Sequence, residues 1–144
     1  IDKLKKYAED EGSQFLYISG KLEEEISELP EEEKSEYLET MGLKESGLNR
    51  LINEAYKLLD LITYYTAATE LQAWTIKKGT HAPQAAGKIH TDFERGFIRA
   101  EVYTSDDLFK YESENSVKDK GLVRSEGKNY IIQEGDIVKY LFNV

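Results

Sequence analysis

The side chains best suited to chemistry crowd into His90-Thr91-Asp92-Phe93-Glu94-Arg95-Gly96-Phe97-Ile98-Arg99, which holds an imidazole, two carboxylates, two guanidiniums and two aromatic rings. His81, His90, Asp92 and Glu94 have the atom types of metal ligands or of a proton relay. The spacing does not support that use. The chain has two histidines, and their separation does not place them on one helical face. Arg95 can neutralise a neighbouring carboxylate without any chemistry. Neither a catalytic residue nor a metal site is expected.

The same stretch also reads as a nucleic-acid surface. Lys77, Lys78, Lys88, Arg95 and Arg99 supply cations for phosphates, and Phe93, Phe97 and Trp74 supply rings for base stacking. Phe97 and Trp74 suit a core better, because a small β domain must fill its interior with something large. The lysines beside Gly79 suit contact better, because turns are exposed. A third chemistry, phosphate cradling, needs the pattern G-x-x-x-x-G-K-[ST], whose glycines leave backbone N–H groups free. Gly20-Lys21, Gly87-Lys88 and Gly127-Lys128 all lack both the upstream glycine and the following Ser or Thr. This chain alone is not expected to hydrolyse a nucleotide.

The charge is strongly segregated. The net charge of −9 argues against a general nucleic-acid binder if it were spread evenly. Residues 21–45, however, carry ten glutamates against Lys21, Lys34 and Lys44, and residues 71–100 carry five cations against Asp92 and Glu94. A mildly basic module therefore follows a strongly acidic one, whose glutamates read as a solvated face. With no cysteine, disulfides, thiolate metal sites and cysteine nucleophiles are excluded, and a reducing, cytoplasmic setting is expected. No apolar run approaches the roughly 20 residues of a membrane helix, and no leader pattern is visible, so neither a span nor export is expected. Ile1-Asp2-Lys3-Leu4 reads as a start partway through a larger gene product.

The elements that must position these residues follow from periodicity. Phe15-Leu16-Tyr17-Ile18 reads as a buried strand, with a helix or loop over residues 1–12 before it. Leu22, Ile26 and Leu29 predict a helix over 21–29 ended by Pro30, and a second helix runs from Pro30 to a cap at Gly42. Ser46 caps a third helix, with Leu48, Leu51, Ile52, Ala55, Leu58 and Leu59 as its apolar stripe as far as Asp60. Beyond a boundary near residue 62 the period changes. Strands are expected over 62–66, 71–76 and 96–103, a helix over 82–90, and a hairpin of 128–132 with 137–142. Tyr64 and Tyr65 are expected to pack where the long helix enters the sheet. Residues 112–120 are polar enough to form a mobile insertion. The fold class is α+β.

Over Ala73-Trp74-Thr75-Ile76-Lys77-Lys78-Gly79-Thr80, Ala82-Pro83-Gln84-Ala85-Ala86-Gly87 and Ile89 to Val102, the chain resembles the YchF family of Obg-like ATPases. The resemblance continues through Glu126-Gly127-Lys128-Asn129-Tyr130 and Gly135-Asp136 to Phe142-Asn143-Val144, and runs back through Glu45-Ser46-Gly47-Leu48 to Ser19-Gly20-Lys21. It implies a TGS domain, a ubiquitin-like β-grasp module, over residues 62–144. It also implies that residues 1–61 are the end of a P-loop α/β domain. Ser19-Gly20-Lys21 resembles the Ser-Ala-Lys loop that closes over the nucleotide base in related GTPases, with Gly20 in place of the usual alanine. ATP or GTP with magnesium is implied for a full-length parent and no cofactor for this chain. The implied partners are the missing N-terminal P-loop domain and the ribosome or ribosomal RNA, with no DNA sequence specificity. Lys77, Lys78, Lys88, His90, Arg95 and Arg99 are the candidate contacts. A TGS domain that instead gates the P-loop active site is the alternative.

Overall fold

The computed structural model describes residues 1–67 and 70–143, so Val144 of the terminal motif lies outside the described residues. The chain divides into two compact units, Ile1–Leu58 and Leu59–Val144.

The first unit holds four helices: α1 (Asp2–Asp10), α2 (Gly20–Glu28), α3 (Glu31–Thr40) and α4 (Gly47–Leu58). The sequence marks their ends. Ser19 caps α2 by accepting the Leu22 N–H at 3.4 Å, and Ser46 caps α4 by accepting the Asn49 N–H at 3.1 Å. Pro30 separates α2 from α3. At the end of α3, Gly42 takes φ +70°, and the Leu43 and Gly42 N–H groups donate to the carbonyls of Leu38 and Glu39, a Schellman closure that needs a left-handed residue. The expected strand at 15–18 does not form. Residues 13–19 are irregular, because a strand requires a neighbour to receive its backbone hydrogen bonds and this unit contains none. The stripe of α4 is also not covered within the unit: Leu48, Leu51, Ile52 and Leu58 are 46% to 70% exposed. Ile26 is the unit's single buried hydrophobic residue among those described.

The second unit is built on one mixed sheet of five strands, β1 (Leu61–Ala67), β2 (Leu71–Lys77), β3 (Phe97–Thr104), β4 (Arg124–Glu126) and β5 (Asp136–Phe142), in the order β2-β1-β5-β3-β4. Asp60, just before β1, takes φ +52°, and its carbonyl accepts the Lys78 N–H beyond the end of β2. β1 runs parallel to β5 and antiparallel to β2, and β3 is antiparallel to both β4 and β5. Strand alternation assigns Ile62, Tyr64, Ile76, Ala100, Val102 and Val138 to one face, under α5 (Ala82–Ile89) and the short α6 (Thr91–Arg95). The alanines of α5 let it lie close: Ala82, Ala85 and Ala86 are fully buried. The opposite face packs Tyr65, Tyr103 and Ile137 against α7 (Ser105–Tyr111) and α8 (Glu114–Asp119).

Three expectations are corrected here. Tyr64 and Tyr65 do not meet at the end of α4 but lie on opposite faces, with Tyr64 fully buried and its hydroxyl donating to the Ala85 carbonyl at 2.8 Å. Residues 112–120 are not a loose insertion, because they carry α8, whose Val117 is fully buried. Residues 128–132 do not form a hairpin with β5; β5 pairs instead with β1 and β3, and Ile131 makes an isolated bridge to His81. The cause is Asp136. Its buried carboxylate accepts the Tyr130 hydroxyl at 2.7 Å and the Gln133 N–H at 2.9 Å, and the Arg124 guanidinium lies 3.6 Å away. These bonds fold residues 130–136 back as a loop and seat Ile132 in the core.

Replacing this carboxylate removes the acceptor of the half-buried Tyr130 hydroxyl and loosens a guanidinium. Asp136→Ala is expected to lower the stability of the second unit by about 3 kcal/mol, read as a shifted urea midpoint in Trp74 fluorescence. An unshifted midpoint would show that the loop holds without it. Alkaline pH gives an independent check. Burial pushes the Tyr64 phenol up to about 12, and burial together with the Asp136 carboxylate does the same for Tyr130. The unfolded chain releases those protons near pH 10, so folding stability should be intact below about 10 and fall progressively towards 12. Denaturant melts across that range test the slope.

Candidate nucleic-acid interface

The turn after β2 places Lys77 and Lys78 in solvent around Gly79, which takes φ +88°. Lys77 follows buried Ile76, so it points off the sheet face opposite α5. Arg99 leaves the same face of β3 after an irregularity between Phe97 and Arg99, and its guanidinium sits 3.6 Å from Glu101. Two strands, β1 and β5, lie between β2 and β3, and the registers set Lys77 and Arg99 near opposite ends of the sheet, roughly 14 Å apart across the strands and about 26 Å along them. Lys88, His90 and Arg95 stand on the other side, in the helical layer of α5 and α6. The six predicted contacts are therefore spread over two faces and do not form one patch.

Within the helical group, His90 has a specific structural task. Its Nδ1 accepts the Asp92 N–H at 3.1 Å, capping α6, and the Asp92 carboxylate lies 3.5 Å from the same nitrogen. His81 is engaged by the Asn129 carbonyl at 3.3 Å. Among the described residues, no three His, Asp or Glu side chains converge as metal ligands. Lys77, Lys78, Lys88 and Arg95 are exposed, and among the described residues none of them sits in an ion pair. Lys120, Lys128 and Lys139 of the same unit are likewise exposed and outside the described ion pairs.

The aromatic residues divide in the same way. Phe97 is buried in the core and presents no ring face to solvent. Trp74 is half-buried, its indole N–H donating to the Thr66 hydroxyl at 3.0 Å, and Phe93 stacks on Phe142 with centroids 3.9 Å apart. Trp74, Phe93, Phe142, Tyr140 and Ile89 together line a groove of about 540 Å³. Sequence reading missed Tyr140 and Phe142 because they belong to a strand far along the chain; their alternation with Val138 was the available signal.

In the first unit, Ser19-Gly20-Lys21 forms the entry to α2. The Lys21 ammonium is almost fully exposed, and Gly20 has open space where a side chain would stand. Glu23, hidden in a run of glutamates, anchors this entry. Its carboxylate accepts the Gly47 N–H at 2.7 Å and the Leu48 N–H at 3.2 Å, so the start of α2 holds the start of α4. Arg50 holds the segment before it by donating to the Tyr17 carbonyl and covering the Tyr17 ring. Among the described residues no helix is long and apolar enough to cross a membrane.

Comparison with known proteins adds identity to this geometry. The YchF-GTPase_C family, described as a protein of unknown function (DUF933), matches residues 61–143. The ribosome-binding ATPase YchF of Escherichia coli O157:H7 and that of Bacillus subtilis (strain 168) are each 48% identical to the whole chain. The chain spans 40% of the length of these relatives. The YchF GTPase structure from Schizosaccharomyces pombe superimposes with a TM-score of 0.83 at 38% identity, over 97% of this chain and 38% of that one. A GTP binding protein from Pyrococcus horikoshii OT3 shares the fold at a TM-score of 0.69 and 21% identity, over 99% of this chain and 41% of that one.

The Glu23 anchor is testable. Glu23→Ala removes two charge-assisted acceptors and should cost the first unit about 1–2 kcal/mol, with loss of helical circular dichroism at α4. A Cβ at Gly47 would stand 2.7 Å from the Glu23 carboxylate and 2.8 Å from Ile18, so Gly47→Ala should also destabilise. The double variant should cost less than the sum, because both changes break one contact. Full additivity would refute the anchor.

Proposed function

The chain belongs to the YchF family, and we propose that it is the C-terminal portion of a ribosome-associated, nucleotide-hydrolysing protein whose second unit docks on the ribosome or its RNA. The observation that carries this reading is that the second unit holds exposed cations outside the described ion pairs, Lys77, Lys78, Lys88 and Arg95 among them, on a chain of net charge −9. An acidic protein that keeps such cations clear of its own carboxylates has a surface for an anionic partner. The relatives' designation as ribosome-binding ATPases agrees in kind.

On this reading, residues 62–144 are the TGS-type β-grasp module and residues 1–61 complete a P-loop domain whose larger part precedes them. The exposed stripe of Leu48, Leu51, Ile52 and Leu58 supports this, since such a face is stable in water when another element covers it. Hydrolysis of ATP or GTP, with magnesium, would belong to that larger part, because the phosphate-loop pattern is missing here. Ser19-Gly20-Lys21 would contribute the rim beside the base, with Gly20 leaving the backbone open to close approach. The setting is the cytoplasm, where ribosomes are.

Cosedimentation with purified ribosomes across a salt series tests the docking reading. The chain should pellet at low salt and be released as salt rises, since phosphate contacts discharge counterions. Lys77→Glu/Lys78→Glu should pellet less and show a log–log salt slope shallower by about 2. A folded chain that never pellets would overturn the reading and favour regulation of the P-loop domain by this module.

A further inference from the structure

The groove on the α5 side of the sheet has a chemistry that the exposed cations do not explain. Its volume of about 540 Å³ falls within the range of small-ligand sites. In the core below, the rings meet edge-on: Tyr64 and Tyr140 at 79°, Phe97 and Tyr140 at 63°. At the groove the arrangement changes, and Phe93 and Phe142 lie 28° from parallel at 3.9 Å. Phe142 is 37% exposed. A stacked pair with one accessible member is a platform that another planar ring can extend.

The polar groups at the groove suit the edge of such a ring. Gln72 is exposed on β2 and offers both a donor and an acceptor. β5 pairs with β1 at Ile137 and Val138 alone, so among the described residues its outer edge from Lys139 to Phe142 has no strand partner, and alternate backbone groups along it point away from β3. The lining carries Glu70 and Lys139, the His90 ring is 5.9 Å from the Phe93 ring, and Lys88 precedes Ile89 of the groove wall. A peptide strand added along that edge would have four residues to pair with, whereas the stacked rings present a face that suits a planar partner.

We propose that this groove holds an unpaired base of single-stranded RNA, stacked on Phe142, read at its edge by Gln72 and the free edge of β5, with its phosphate towards Lys88. The proposal deepens the docking reading and rests on it. It gives the partner a local feature, an extruded nucleotide, which a cation surface alone does not require.

Trp74 is the chain's single tryptophan and lines the groove, so its emission reports occupancy. The full chain is titrated with a short oligoadenylate, with the same oligomer annealed into duplex RNA, and with an apolar peptide. The single strand is expected to quench Trp74 saturably, and Phe142→Ala to weaken binding about fivefold or more, the lower end of the stacking range. Gln72→Ala, an exposed change that spares the fold, should weaken it about threefold. Circular dichroism confirms that each variant is folded. Equal quenching by the duplex, quenching by the peptide alone, or unchanged affinity in both variants would overturn the proposal. Ribosome pelleting with no response of Trp74 to the single strand would overturn it while leaving docking intact; loss of both would remove both readings.

Discussion

The carboxylate of Asp136 is the contact on which the second unit depends. It stands at the first residue of β5 with a 1% exposed side chain, and a charge so placed is tolerated only when its oxygens are occupied. Tyr130 and the Gln133 backbone both donate to Oδ2, and the Arg124 guanidinium, which also covers the Tyr130 ring, lies 3.6 Å from Oδ1. The loop held in this way then reaches α5. The Tyr130 carbonyl accepts the Ala82 N–H, and the Ile132 N–H donates to the Thr80 carbonyl. The start of α5, its alanine contact with the sheet and the buried hydrogen bond from Tyr64 to Ala85 all follow from one buried charge at the head of a central strand.

That arrangement separates two kinds of surface. The α5 side of the sheet has a complete core, and only at its margin, where β1 and β5 part company, does it leave aromatic rings and backbone edges accessible. The opposite side carries Lys77 and Arg99 on either side of the two central strands. Nucleic-acid contact of the kind proposed would therefore combine cations on two faces with a stacking platform on one. Phosphate contacts position and base contacts specify, so these surfaces have different tasks.

The first unit is held by different means. With one buried hydrophobic residue, it relies on polar ties between its segments: Glu23 to the start of α4, Arg50 to Tyr17, and a short hydrogen bond from Tyr37 to Glu25. Such ties set direction but contribute little against chain entropy. The leucines and isoleucine of the α4 stripe stay exposed within the unit.

What the sequence determined by itself was local. Caps at Ser19 and Ser46, the break at Pro30, the left-handed glycine at residue 42, and the positions of β1, β2, α5, β3 and β5 all arise from interactions within a few residues, and periodicity and turn chemistry report those directly. The family too was legible, because long runs such as residues 73–80 and 89–102 are carried in the chain itself. What only the tertiary structure decided depended on partners distant in sequence. Residues 15–18 have strand composition but no strand to pair with. Residues 128–132 look like half of a hairpin until the Asp136 carboxylate draws them into a loop, and 112–120 look solvated until Val117 finds the far face of the sheet. The lysines beside Gly79 are exposed, as their turn implied, yet the division of the candidate cations between two faces, and the common groove of Trp74 and Phe142, follow from strand order, which no local pattern encodes because a strand's neighbours are chosen by the whole core.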